Sequence, residues 1–187
     1  MKITKDFNFL IDGSKLHVDL NNEDTIDISS SPRDYKVTFS DNIEGEINLF
    51  NQKYSDYIFI ADKNITKIYT SLFTSLKNYP IYTVDAIEDN KNINEALRIC
   101  DFFLANNANR GTCIYAIGGG IIQDLVAYAA ATYKRGIPWI YIPTTLLGQS
   151  DSCVGGKTGL NYNNTKNLIA LFSAPREIII DINFNYT

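Results

Sequence analysis

The chain has 187 residues, 45% of them hydrophobic and 20% charged, which suits a globular protein with one core and at most a small addition. Its 17 Lys and Arg against 21 Asp and Glu leave a net charge of −4, so there is no electrostatic case for nucleic acid or an anionic membrane, and an anionic ligand would need a local cluster of cations. No apolar run approaches the roughly 20 residues that span a bilayer. The opening MKITKDFNFLIDGS lacks the apolar core of a signal peptide, and Cys100, Cys113 and Cys153 have no CxxC spacing, so a cytoplasmic protein with reduced thiols is expected.

Residues 1–33 read as an N-terminal β extension. Two short apolar stretches flank Asp12-Gly13, a good hairpin turn, and the polar NNEDTIDISSSPRD reads as a loop or a weak strand pair. His17, the single histidine, sits in the second stretch and reads as structural or exposed. The sequence from 34 to 187 reads as one α/β domain. Residues 36–40 alternate like a strand, and 43–53 are ambiguous. From Tyr57 a regular alternation begins. Strands are expected at 57–61, 80–84, 113–117, 139–142 and 177–180, with helices at 66–77, 92–107 and 121–134, and Leu168 to Phe172 closing another. Such alternation predicts a parallel sheet with helices on both faces and ligands beyond the carboxyl ends of the strands.

One stretch concentrates the chemistry. The run Cys113–Ile117 leads into Gly118, Gly119 and Gly120 and then a helix, an arrangement that brings backbone N–H groups and a helix dipole to a diphosphate; a tight packing turn would look the same. It is neither GxGxxG nor a P-loop. Asp124 near the helix start is either a favourable charge or an acceptor for a nucleotide hydroxyl. Lys134 and Arg135 close that helix, where cations are favoured anyway. Thr144 and Thr145 follow a buried strand and could donate to a ribose or phosphate, or cap the next turn. The polar loop beyond carries Asp151, Lys157, Lys166 and Asn167, groups suited to a phosphorylated or carboxylated, hydroxylated substrate.

In order, GGGIIQD, YKRG, PTTLLGQSDSCVGGKTGLN and KN closely resemble the 3-dehydroquinate synthase family of sugar-phosphate cyclases over about 60 residues, with weaker support in IADKNI and in Glu88 and Lys91 upstream. The resemblance implies a Rossmann-like NAD-binding domain. It implies a shikimate-pathway lyase of aromatic amino acid biosynthesis, converting 3-deoxy-D-arabino-heptulosonate 7-phosphate to 3-dehydroquinate and phosphate. By position, Asp62 and Asn64 would hold the adenosine end, Gly118–Gly120 the diphosphate, and Asp124, Thr144 and Thr145 the rest of the NAD site. Glu88 and Lys91 would lie near the nicotinamide ribose. Asp151, Lys157, Lys166 and Asn167 would meet substrate and cofactor, and Arg135 would reach substrate phosphate across a homodimer. The family's helical C-terminal domain, which holds a divalent metal such as Zn or Co, has no counterpart here, so the fragment alone is expected to be inactive. Cys153, Tyr162, Ala170 and Gln123 depart from the family pattern, the first two at the rim of the site, which leaves room for another sugar-phosphate cyclase; the alternative of an iron-dependent alcohol or glycerol dehydrogenase-like oxidoreductase rests on a similar fold and GGGxxxD, but that group lacks the DSxxGGKT stretch.

Overall fold

Alternate residues of the long apolar strands point to opposite sides, so a sheet made of them has two greasy faces, and each must be covered. In the computed structural model, which describes residues 6–11 and 14–19 as backbone together with 25–30, 33–50, 53–54 and 56–186, that sheet has seven strands. They are β3 (Thr25–Ile28), β4 (Tyr35–Ser40), β5 (Asp56–Asp62), β6 (Ile81–Val84), β7 (Thr112–Gly118), β8 (Trp139–Pro143) and β11 (Glu177–Asp181). The spatial order is β3-β4-β11-β8-β7-β5-β6; β3 runs antiparallel to β4 and every other pairing is parallel. β3 thus lies within the 1–33 segment yet belongs to the main sheet. Ahead of it, β1 (Asp6–Ile11) and β2 (Ser14–Asp19) pair antiparallel, while the expected Asp12-Gly13 turn lies outside the described residues.

One face packs Ile58, Ile60, Ile114, Ala116 and Tyr141 against α4 (Ile93–Ala105) and α5 (Gly120–Thr132). The other packs Phe59, Tyr115, Ile117 and Ile142 against α1 (Ile43–Phe50), α2 (Lys63–Ile68) and α3 (Thr70–Ser75). Phe59 and Tyr115 stack with centroids 4.8 Å apart across β5 and β7. α4 starts where Asn92 Oδ1 accepts from Glu95 N at 3.0 Å. α5 starts without a side-chain cap, at Gly119.

The helix expected over 66–77 is two short helices broken at Tyr69. That residue leaves helical geometry (φ −101°, ψ 52°) to set its ring edge-on against Phe184, 4.7 Å away, and to donate its hydroxyl to Asn183 O. The helix expected over 121–134 ends at Thr132, because Lys134 and Arg135 both take positive φ (48° and 64°).

The largest correction concerns 157–172. Leu168–Phe172 does not close a helix. Lys157–Tyr162 (β9) and Thr165–Phe172 (β10) form an antiparallel hairpin that packs on α5, and half of the expected polar loop is therefore strand. Asn163 and Asn164 turn it, with φ of 47° and 59°, the paired left-handed geometry of a type I′ turn that asparagine tolerates.

Candidate functional site

The chain steps from β5 to β6 on one side of β5 and returns to β7 on the other. The carboxyl ends of β5 and β7 therefore flank a topological switch point, where an open crevice forms. Asp62 ends β5 and Gly118 ends β7. A Cβ on Gly118 would clash with Ile122 Cγ1, lie 2.8 Å from Ile122 Cβ and sit 3.4 Å from Asp62 Cβ, so this glycine serves close strand–helix packing. Its carbonyl accepts from Thr144 N at 3.0 Å and Tyr141 Oη at 3.2 Å. Gly119 and Gly120 are more open: a Cβ on Gly119 would meet Thr145 Cγ2 at 3.0 Å, and one on Gly120 only Ser152 Oγ at 3.9 Å. They present the uncapped first turn of α5, whose N–H groups have no side-chain acceptor among the described residues.

The two threonines separate. Thr145 Oγ1 accepts from Gly148 N at 3.1 Å and so caps the following turn. Thr144 Oγ1 is buried without a hydrogen-bond partner among the described residues, on a residue 6% exposed, directly beside the glycine turn. A buried hydroxyl of this kind requires a partner. The turn Gly148–Ser152, which carries the exposed Asp151, is held over the start of α5 by Gln123 Nε2 donating to Ser152 O at 2.7 Å. Gln123, one of the departures from the family pattern, thus has a structural task. Burial raises the Cys153 thiol to about 11, so it stays protonated at neutral pH.

A second group gathers along the flank of α5. Asp124 lies in the second helical turn. Its Oδ2 receives Lys91 Nζ at 3.0 Å; its Oδ1 receives Thr158 Oγ1 at 3.1 Å and Gly159 N at 3.2 Å. Lys91, only 8% exposed, also donates to Asn167 Oδ1 at 2.6 Å. Asn167 has positive φ (55°) inside a register shift of β10, a bulge that turns its side chain toward Lys91. Gly159 permits that approach, since a Cβ there would lie 2.9 Å from Asn167 Cβ. These residues, with Lys157 and Ala170, line a 440 Å³ cavity of small-molecule size. A larger hollow of 820 Å³ between β4, β11 and α1 holds none of the motif groups.

Asn161 was not singled out by the sequence, yet it ties this group together. Its N donates to Lys91 O (2.8 Å), its Nδ2 to Glu88 Oε1 (2.9 Å), and its Oδ1 accepts from Asn167 N (3.0 Å). The Asn161 hydrogen bond, followed by the charges of Lys91 and Lys166, holds the Glu88 carboxyl below the usual carboxylate range. A depressed folded pKa contributes stability above the ordinary glutamate range that is lost as pH falls through the folded value. Asn161→Ala is expected to return Glu88 upward toward its ordinary pKa, read by NMR titration of its side-chain carboxyl; an unmoved midpoint would show that the lysines alone hold it down. Lys166 meets Glu88 at 3.5 Å with both side chains exposed, an ion pair of little energetic weight.

Asp62, Asn64 and Arg135 stand apart from this cluster. Asp62 Oδ1 caps its own helix through Asn64 N at 2.8 Å, and the Asn64 residue is exposed. Arg135 lies past the far end of α5, which alone carries the chain about 12 Å from Asp124 to Thr132 at the helical rise per residue. Among the described residues no three His, Cys, Asp or Glu groups converge as a metal site, and no helix is long and apolar enough to cross a membrane.

Comparison with known proteins identifies the family. The N-terminal 3-dehydroquinate synthase family model matches residues 81–187. A 3-dehydroquinate synthase of Clostridium tetani is 40% identical over 159 residues, covering 80% of this chain and 42% of that protein. The crystal structure of a 2-deoxy-scyllo-inosose synthase, complexed with carbaglucose-6-phosphate, NAD+ and Co2+, superposes with a TM-score of 0.74 at 27% identity over 86% of this chain and 46% of that one. A 2-epi-5-epi-valiolone synthase of Streptomyces hygroscopicus, with NAD+ and Zn2+ bound, gives 0.73 at 26% identity over 82% and 44%. The chain spans less than half the length of these relatives. With the family model matched over more than half of its residues, and the fold shared with sugar-phosphate cyclases, the chain belongs to the 3-dehydroquinate synthase family.

Proposed function

We propose that this chain is the NAD-binding half of a 3-dehydroquinate synthase, acting on 3-deoxy-D-arabino-heptulosonate 7-phosphate to release phosphate and form 3-dehydroquinate. One observation carries the reading: the uncapped start of α5, the open Gly119–Gly120 backbone and the orphaned Thr144 hydroxyl share the edge of the switch-point crevice, as an anionic dinucleotide requires. Gly118–Gly120 and Thr144 would hold NAD at its diphosphate, with Asp62 on the adenosine side. Thr145 supports the turn that lies over them. NAD, when bound, takes a hydride from a substrate carbinol and returns it.

The substrate end falls to the α5 flank. Lys157 and Lys166 are exposed cations for the acid and phosphate groups, and Asp151 is an acceptor for hydroxyls. Lys91, fixed between Asp124 and Asn167, presents a positive charge whose position is set on two sides. Glu88 stays ionised through Asn161 and the lysines. A divalent metal would be held by residues of a second domain, and Arg135, remote from this cavity, would serve a substrate phosphate only in a homodimer. Such an enzyme is cytoplasmic. A different sugar-phosphate substrate is favoured by one feature, Ala170, which lines the cavity where the family pattern has glycine.

The test is calorimetric titration of the chain with NAD, followed by saturation-transfer NMR of the keto-acid phosphate with NAD present. Both are expected to bind, with negligible turnover by these 187 residues alone. Absence of NAD binding would overturn the reading. Lys157→Ala is expected to weaken the keto-acid phosphate by about tenfold, roughly one charge-assisted hydrogen bond, and NAD by less than about twofold. Equal losses in both would remove Lys157 from the substrate end.

A further inference from the structure

The carboxyl ends of β8 and β11 come apart. Their ladder pairs Ile140 with Glu177 and Tyr141 with Ile178 and goes no further, although β8 runs on to Pro143 and β11 to Asp181. Proline has no N–H to offer across the gap. The last carbonyls of these two neighbouring strands therefore have no ladder bond between them, at the edge where the crevice opens.

One side chain fills that gap. Gln149 Nε2 donates to Pro143 O at 3.1 Å and to Asp181 O at 2.9 Å, and Gln149 Oε1 accepts from Asn185 Nδ2 at 2.6 Å. A primary amide donates twice and accepts as well without carrying charge, so it suits a place between two carbonyls and an amide donor. Gln149 belongs to the turn Gly148–Ser152, two residues before Asp151. The turn sits close on β8, since a Cβ on Gly148 would lie 3.2 Å from both Pro143 Cβ and Tyr141 Oη. Gln123 holds the other end through Ser152 O. Asp151 is thus carried between two amide clamps, one to α5 and one to the ends of β8 and β11.

The second clamp reaches further. Asn185 lies in the short 3-10 helix Ile182–Tyr186 that follows β11. That segment is docked on the break between α2 and α3: Phe184, 3% exposed, packs edge-on against Tyr69, and Tyr69 Oη donates to Asn183 O at 3.1 Å. Asp181 Oδ1 accepts from Asn183 N at 2.9 Å and closes the bend. Tyr69, the segment after β11 and the turn over α5 so form one connected set of contacts.

We propose that Gln149 is the positioning residue of Asp151: its amide sets the turn that aims the Asp151 carboxylate, and it ties that aim to the docking of residues 182–186. The inference rests on the reading of Asp151 as an acceptor for substrate hydroxyls. Asp151 is exposed and has no side-chain hydrogen bond or ion pair among the described residues, so its backbone alone directs it. Misplacing such an acceptor by about 1 Å forfeits its bond.

The experiment is a double-variant cycle in the chain loaded with NAD. It reads affinity for 3-deoxy-D-arabino-heptulosonate 7-phosphate by saturation-transfer NMR, NAD affinity by calorimetry and the thermal midpoint by melting. Gln149→Met keeps the length of the side chain and removes its three bonds. It is expected to weaken the keto-acid phosphate by about tenfold and NAD by less than about threefold, because Gln123 still holds the α5 side of the turn. In an Asp151→Ala background the same change is expected to weaken the keto-acid phosphate by less than about twofold, since the group it positions is gone. Asn185→Ala, at an exposed site, is expected to weaken it by about threefold with the same dependence on Asp151, and it carries the cycle where Gln149→Met does not fold. A side chain that merely fills the strand gap would lower the thermal midpoint and act equally with and without Asp151. Equal losses in both backgrounds, unchanged affinity in folded Gln149→Met or Asn185→Ala, or an NAD-loaded parent that does not bind the keto-acid phosphate would each overturn the proposal. A parent chain that does not bind NAD would overturn the proposed function itself.

Discussion

Gly119→Val is expected to abolish measurable NAD binding in a chain that stays folded. The argument is steric and does not invoke backbone strain, since Gly119 has φ −83° and ψ −167°, a conformation open to any residue. Its missing Cβ matters because the nearest atom, Thr145 Cγ2, would stand at 3.0 Å. Valine adds two methyl groups beyond that Cβ. They would press on Thr145 or stand over the free N–H groups at the start of α5, the groups that must touch a diphosphate. Losing two or three charge-assisted hydrogen bonds to one ligand amounts to about 3 kcal/mol or more, above 100-fold in affinity. Gly118→Ala makes the contrasting case. Its Cβ would meet Ile122 and force α5 off the sheet, so its effect falls on stability before it falls on the ligand. Calorimetry with NAD and thermal melting separate the two: Gly119→Val should melt within a few degrees of the parent and bind nothing. A folded Gly119→Val that binds NAD with unchanged affinity would remove the glycine turn from the cofactor site.

What the sequence showed and what it hid follow from the range of the forces involved. β5, β7, β8 and β11 are apolar runs buried on both sides, so composition alone exposes them. α4 announces itself through Asn92 and Glu95 three residues on. α1 was ambiguous because it has eight residues, with Ile43 and Ile47 as its buried pair and Asn42 receiving Gly45 N as its start. The hairpin is hidden in the sequence because Leu168, Ile169, Leu171 and Phe172 satisfy helical and strand spacing about equally. Its deciding signal was available in Asn163-Asn164, a left-handed pair placed between two six- to eight-residue runs. The glycine turn and Lys91, Asp124 and Asn167 could be named through resemblance. Their mutual contacts could not, because Asp124 meets Thr158 across 34 positions and Lys91 meets Asn167 across 76. Asn161 joins them through the same non-local pairing. Gln149 likewise reaches the end of β11 across 32 positions, at an edge that exists only through the order of parallel strands.

Lys91→Met is expected to be the most destabilising single change at the α5 flank. The Lys91 side chain is 10% exposed and that of Asp124 18%, so neither charge is well solvated. Removing the cation leaves Asp124 Oδ2 as a largely buried anionic oxygen without its ion-pair partner, while Thr158 and Gly159 still serve only Oδ1. It also strips Asn167 Oδ1 of its donor and so loosens the bulge that aims it. Breaking a buried pair from one side costs about 3–5 kcal/mol, and the partial exposure here argues for the lower end, about 3 kcal/mol. Asp124→Asn should cost somewhat less: its amide donor then faces the Lys91 ammonium, but its oxygen can still accept from Thr158 and Gly159 and Lys91 keeps Asn167 Oδ1 as an acceptor. The double variant separates the explanations. If the stranded charge is the main cost, adding Asp124→Asn to Lys91→Met should recover part of the lost stability, giving a coupling of about 1–2 kcal/mol in a denaturant-unfolding cycle. Strictly additive losses would mean that the lysine's packing, and not its charge, holds the hairpin to α5.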